Sequence, residues 1–167
     1  MGNIHLSDTA LKQLTALIGK NIDPAFGSKL LEFGSAGISI AGYLCEQCDY
    51  LALTDKNKEF TEKPECFRED NKIQLIPDES LSEDCYFGRF HLVYTLFGFR
   101  GLPHLVDEIM RLRRLIIKGG KIAVIDYTDD DFSNECIKQL KRCGFQNFHQ
   151  EIFEAEGKEA FLIVSEK

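Results

Sequence analysis

Two acids, Glu32 and Asp55, stand where a small-molecule site would need them. Each closes an apolar run: Leu30-Leu31 passes into Glu32, and Tyr50-Leu51-Ala52-Leu53 leads through Thr54 to Asp55. Between them lies a turn of small residues, Gly34-Ser35-Ala36-Gly37, followed by a predicted helix. Gly34 and Asp55 are 21 positions apart, close to the roughly 20 of a nucleoside-binding β-α-β unit. In open parallel sheets a ligand lies outside the carboxyl ends of the strands, so the turn and the second acid face one crevice. Small residues let the backbone approach a ligand and leave the N–H groups of the helix start exposed, while a carboxylate accepts hydrogen bonds from a ribose diol. A three-glycine turn would place Gly at 34, 36 and 38, where the chain has Gly34, Ala36 and Ile38. Two readings follow: a tight strand-to-helix turn without a ligand, or a nucleoside turn one residue short. In the second, Gly37 sits beside the ligand and Ile38 already belongs to the helix and points into the core.

The elements that must position these residues alternate along the chain. Residues 6–19 have helical apolar spacing (Leu11, Leu14, Leu17, Ile18) with Ser7 or Asp8 as N-cap, and 21–28 is a loop with Pro24 and Gly27. Packing on the sheet is the role expected of this helix. Strands are predicted over 72–76, ending at Pro77-Asp78-Glu79, and over 90–95, ending in Tyr94-Thr95. Pro103 opens a helix reaching Ile116, with Leu105, Ile109, Leu112 and Ile116 on one face. Arg111, Arg113, Arg114 and Lys118 on its other side read as a solvated basic stripe, and Gly119-Gly120 reads as the stop. A buried strand over 121–126, a helix over 134–143 and strands over 146–153 and 160–165 complete the chain. The last two are joined by 154–159, too short for a crossover helix, so they must be antiparallel neighbours. The expected fold is α/β: a Rossmann-like, mostly parallel sheet with helices on both faces and a C-terminal antiparallel hairpin.

Composition narrows the function classes. The 167 residues suit one domain, 1–167, of which 1–28 is the N-terminal helix and loop. Hydrophobic residues make up 44% and charged residues 28%, as in soluble globular proteins. A net charge of −7 argues against nucleic acid and anionic lipid as partners. No apolar run approaches the ~18 residues of a membrane span, and no leader pattern is read, so the expected location is the cytoplasm. Six cysteines include one C-x-x-C, Cys45 and Cys48, but His5, His91, His104 and His149 are scattered and supply no second pair of metal ligands. Reduced, small, buried side chains are the reading for these thiols, and no metal is expected.

Leu30-Leu31-Glu32-Phe33-Gly34 resembles the first motif of the class I S-adenosylmethionine-dependent methyltransferases. Arg114-Leu115-Ile116-Ile117-Lys118-Gly119-Gly120-Lys121 is similar to the R-V-L-K-P-G-G-R that precedes their fifth strand. The resemblance runs from about Lys29 to the C-terminus. It implies S-adenosylmethionine as cofactor, with Glu32 and the turn Gly34, Ser35, Ala36, Gly37 under its methionine part. It also implies Asp55, followed by Lys56, at the ribose, and Asp78 or Glu79 at the adenine; Thr95, at the end of the fourth strand, is counted with them. A narrower resemblance, to the ubiquinone and menaquinone C-methyltransferases, rests on Asp55-Lys56-Asn57 (their D-I-N) and on Phe97-Gly98-Phe99-Arg100-Gly101-Leu102 (their F-G-x-R-N-V), with Gly101 where they have Asn. It implies Arg100 as the catalytic-side residue, orienting an acceptor oxygen, with Tyr94 a second candidate. The implied activity is methylation of a small-molecule, quinone-like acceptor. The alternative is a methyltransferase fold without catalysis, serving as a binding or assembly module with a protein partner or as a homodimer.

Overall fold

The structure is a computed structural model that describes residues 6–22, 28–34, 38–55, 72–128 and 131–167, the side chain of Asp55 excepted. Its frame is one seven-stranded sheet: β1 (Lys29–Phe33), β2 (Tyr50–Asp55), β3 (Ile73–Pro77), β4 (Phe90–Leu96), β5 (Ile116–Tyr127), β6 (Gln146–Ala155) and β7 (Lys158–Glu166). The strands lie in the order β3-β2-β1-β4-β5-β7-β6. The first five pair in parallel, and β7 runs antiparallel to both β5 and β6. This is the sheet expected from the alternation of apolar runs with helical patterns. Parallel pairing explains why β1 and β4 read as nearly continuous apolar segments, since both of their faces are covered.

Helices α1 (Asp8–Gly19) and α2 (Ala41–Leu44) cover one face, packing Leu14, Leu17, Ile18 and Leu44 against Leu30, Leu51 and Leu92. Helices α3 (Leu105–Leu115) and α4 (Phe132–Arg142) cover the other, packing Ile109, Leu112, Cys136 and Leu140 against Leu31, Val93 and Val124. At the start of α1 the Ser7 Oγ accepts from the Ala10 N–H at 3.3 Å, the cap anticipated from its type. None of the helices among the described residues is long and apolar enough to cross a membrane.

Two boundaries depart from the sequence pattern. The helix after the small-residue turn has only four residues, continued by a 3-10 turn over Cys45–Gln47. It contains Gly42, a poor helix former, and has no side-chain cap at Ile40. The helix α3 ends at Leu115, not at Gly119-Gly120, because Ile116 already has extended dihedrals (φ −81°, ψ 136°). Strand β5 thus begins before the glycines and bulges: Phe90 pairs with Ile116 and Leu92 with Lys121. Lys167 fastens the bulge, its N–H donating to the Gly120 carbonyl at 2.8 Å and its Nζ to the Ile116 carbonyl at 2.5 Å.

The face of α3 that meets the sheet makes a direct test. Leu112 is fully buried and Met110 is 43% exposed. Replacing Leu112 with Ala is expected to lower stability by about 2–5 kcal/mol in urea denaturation, whereas Met110→Ala stays within about 0.5 kcal/mol.

Candidate functional site

The strand order reverses between β1 and β4, so the crevice opens at their carboxyl ends. Glu32, the fourth residue of β1, lies at its floor with no exposed surface. Its Oε2 accepts two hydrogen bonds, from the Tyr94 hydroxyl at 2.6 Å and from the Ile40 N–H at 3.2 Å. A carboxylate withdrawn from water loses several kcal/mol of solvation, so such donors are a condition of its being there. Burial, reinforced by the adjacent Glu32, pushes the Tyr94 phenol well above its usual value of 10.0 and keeps it a donor. Tyr94 is therefore directed inward to Glu32 and not toward an acceptor.

Gly34 follows at φ +59°, with no atom of the described residues within 4 Å of the place where a Cβ would stand. Its N–H donates to Thr54 Oγ1 at 3.3 Å, which ties the turn to β2. An open cradle of this kind is what a ligand approaching the backbone requires. Ser35, Ala36, Gly37 and Lys56 lie outside the described residues, as does the side chain of Asp55. The backbone of Asp55 ends β2 in register with Pro77. Ile38 is 5% exposed and points into the core with Leu14 and Leu44, as its size demands. It does not belong to the helix, however: α2 opens only at Ala41, since the Ile40 N–H is drawn down to Glu32.

The segment leaving β4 is fastened to the end of β5. The Phe97 N–H donates to the Ile125 carbonyl at 2.8 Å, and its ring lies 4.5 Å from that of Tyr127. Phe97 has φ +54°, a conformation that costs a non-glycine residue roughly 1–2 kcal/mol. Arg100 donates from its backbone N–H and from Nε to the two oxygens of Asp126, each at 3.3 Å, and from Nη2 to the Tyr127 carbonyl at 2.9 Å. The guanidinium also lies 4.7 Å from the Phe132 ring centre. Asp126 is 1% exposed, and burial raises its carboxyl pKa despite the Tyr127 N–H and Arg100. Sequence reasoning missed Asp126, although it is a fourth acid at a strand end, after Glu32, Asp55 and Asp78. Thr95 is 1% exposed, and its Oγ1 has no hydrogen-bond partner among the described residues. Gly98 packs directly on it: a Cβ at 98 would collide with Thr95 Oγ1 and come within 2.5 Å of the Gly34 carbonyl oxygen.

Of the acids after β3, Asp78 is engaged by a side chain of α3. Arg111 on α3 donates from Nη2 to both oxygens of Asp78, at 2.9 and 3.1 Å, and from Nη1 to its carbonyl at 3.0 Å. Glu108 completes the network at 2.8 Å. Burial opposes the Arg111 charge, yet the hydrogen bonds to Asp78 and Glu108 prevail and hold it more firmly protonated than usual. Arg111 is thus a half-buried clamp between α3 and β3 and not part of a solvated stripe, while Glu79 is exposed. Cys48 packs in the core, and burial, aided by Cys45, raises its thiol to about 11, which makes it inert.

No family model and no curated protein matches the chain. Solved structures do. The [4+2]-cyclase SpnF aligns over 100% of this chain and 85% of its own, with a TM-score of 0.79 at 11% identity. An S-adenosylmethionine-dependent methyltransferase from Mesorhizobium loti aligns over 95% and 98%, with a TM-score of 0.69 at 11% identity. The 1,6-didemethyltoxoflavin N1-methyltransferase of Burkholderia thailandensis, solved with 1,6-didemethyltoxoflavin and S-adenosylhomocysteine, aligns over 96% and 79%, with a TM-score of 0.71 at 14% identity. At such identities the likeness establishes the fold. The chain has the class I methyltransferase fold.

The contact of Gly98 with Gly34 and Thr95 can be tested by Gly98→Ala. The added methyl meets a backbone oxygen that cannot rotate away, so the variant is expected to lose about 2–4 kcal/mol in urea denaturation. Combining it with Thr95→Val should not restore the loss.

Proposed function

We propose that the chain transfers a methyl group from S-adenosylmethionine to a small molecule. The observation that carries this is the buried Glu32 beneath the open cradle of Gly34, at the point where the strand order reverses. The residues present fit the cofactor: the cradle has room that a side chain would fill, and the Thr95 hydroxyl is buried without a partner among the described residues. When bound, S-adenosylmethionine supplies a methyl group already activated on a sulfonium, so no side chain has to act as a nucleophile. The protein's work is to hold donor and acceptor in line and exclude water, and a base is needed only where the acceptor must lose a proton. Gly34 and the residues 35–37 would receive the cofactor, Asp55 and Lys56 its ribose side, and Asp78 or Glu79 its far end. Of the last two, Asp78 reaches it only through an oxygen shared with Arg111. Arg100, the residue first considered for orienting an acceptor oxygen, enters through its grip on Asp126, which sets the wall formed by residues 97–101. A quinone-like acceptor is the narrower form of the reading, carried by Asp55-Lys56-Asn57 and by the Phe97 to Leu102 segment. The toxoflavin precursor in the Burkholderia thailandensis neighbour makes nitrogen-containing rings an equally suitable class to assay.

A second reading has its own support. A Cβ at Gly98 would collide with the Gly34 carbonyl, so the backbone is closely packed at the proposed site, and a structural neighbour named as a [4+2]-cyclase shows that the fold is not confined to methyl transfer. On that reading the chain is a binding or assembly module, with a protein partner or as a homodimer.

Calorimetry and thermal shift with S-adenosylhomocysteine and, separately, NAD decide between them. Binding of S-adenosylhomocysteine in the tens of micromolar, about −6 kcal/mol, supports the methyltransferase reading. At 100 times the dissociation constant it should add about 2.7 kcal/mol of stability. Absence of binding favours the module. Asp55→Ala is expected to weaken the affinity by about 1–3 kcal/mol without unfolding the protein. Ile38→Gly should lower stability by about 3 kcal/mol or more and leave the affinity no tighter, because Ile38 is a core residue and not an obstruction.

A further inference from the structure

Tyr94 and Glu32 are register partners on adjacent parallel strands, so their side chains share the face covered by α1 and α2. Phenylalanine would fill the same core volume as Tyr94 and offer no donor. The hydroxyl instead lies 2.6 Å from Glu32 Oε2, the same oxygen that takes the Ile40 N–H at 3.2 Å. Two donors converging on one oxygen fix the rotation of the carboxylate. Through it they fix the backbone entering α2, where the Ile40 carbonyl accepts the N–H groups of Tyr43 and Leu44.

We propose that Tyr94 is a positioning residue beside the cofactor site: its hydroxyl sets the carboxylate of Glu32, and Glu32 in turn holds the Ile40 N–H at the entry to α2. The inference rests on the S-adenosylmethionine reading for its consequence in binding, but its geometric half is independent of any ligand. The other titratable group acting on Tyr94 among the described residues is Cys48, across from it on the α2 side. Burial keeps that thiol neutral up to about 11.

The test is Tyr94→Phe, alone and with Glu32→Gln, read by amide hydrogen exchange and by calorimetry with S-adenosylhomocysteine. In Tyr94→Phe the Ile40 amide should lose protection by about tenfold relative to the Leu92 amide in β4, as the loss of one charge-assisted donor implies. The affinity for S-adenosylhomocysteine should fall by about fivefold to tenfold near pH 8. Equal protection of Ile40 and Leu92 in Tyr94→Phe, or an affinity like that of the wild type, overturns the proposal and leaves Tyr94 a packing residue. If Tyr94→Phe does not fold, the double variant decides: protection of Ile40 equal to wild type there overturns the proposal, and its loss supports it. Failure of the wild type to bind S-adenosylhomocysteine would instead remove the cofactor reading, with the exchange of Ile40 still deciding the role of Tyr94.

Discussion

A buried acid organises this fold. Glu32 sits in a sheet covered on both faces, where a carboxylate without donors would cost several kcal/mol, comparable to much of the net stability of a small domain. The Tyr94 hydroxyl on the adjacent strand β4 and the Ile40 N–H just ahead of α2 both donate to its Oε2. Strands β1 and β4 and the start of α2 are joined through one carboxylate oxygen.

A second buried acid plays the same part on the other side of the crevice. Asp126 ends β5 and draws Arg100 and the segment after β4 toward it, while Phe97 is held at positive φ against Tyr127. The strain at Phe97 and the contact of Gly98 with Gly34 are accepted at the point where a ligand would be met, which is where such compromises concentrate. The two acids thus bound the crevice from β1 and from β5, each satisfied by residues of β4 or of the segment that follows it.

Away from the crevice, the amino end of β5 is held by other means, its bulge fastened by Lys167. At the carboxyl end of β3, Arg111 ties α3 to the sheet through Asp78. The residues of the first motif and those of the segment before the fifth strand therefore serve opposite ends of the same sheet. The first shapes the proposed cofactor site, and the second keeps β4 and β5 in register beneath it.

The order and type of the elements were legible in the sequence because apolar periodicity records which faces are covered. The continuous runs at 30–31 and 90–95 marked strands buried on both faces. The short link at 154–159 left only an antiparallel hairpin, which β6 and β7 form. Glu32 and Gly34 stood out as an acid and a glycine after an apolar run, and the structure places them at the carboxyl end of β1. Pairing was not. That Tyr94 serves Glu32, that Arg111 clamps Asp78 instead of facing water, and that Arg100 grips Asp126 depend on residues between 26 and 62 positions apart, as measured along the chain. Sequence spacing carries no record of such partners. The late start of α2 and the early end of α3 escaped as well: the Ile40 N–H turns to Glu32, and Ile116 is already extended, its carbonyl accepting from Lys167 51 positions away.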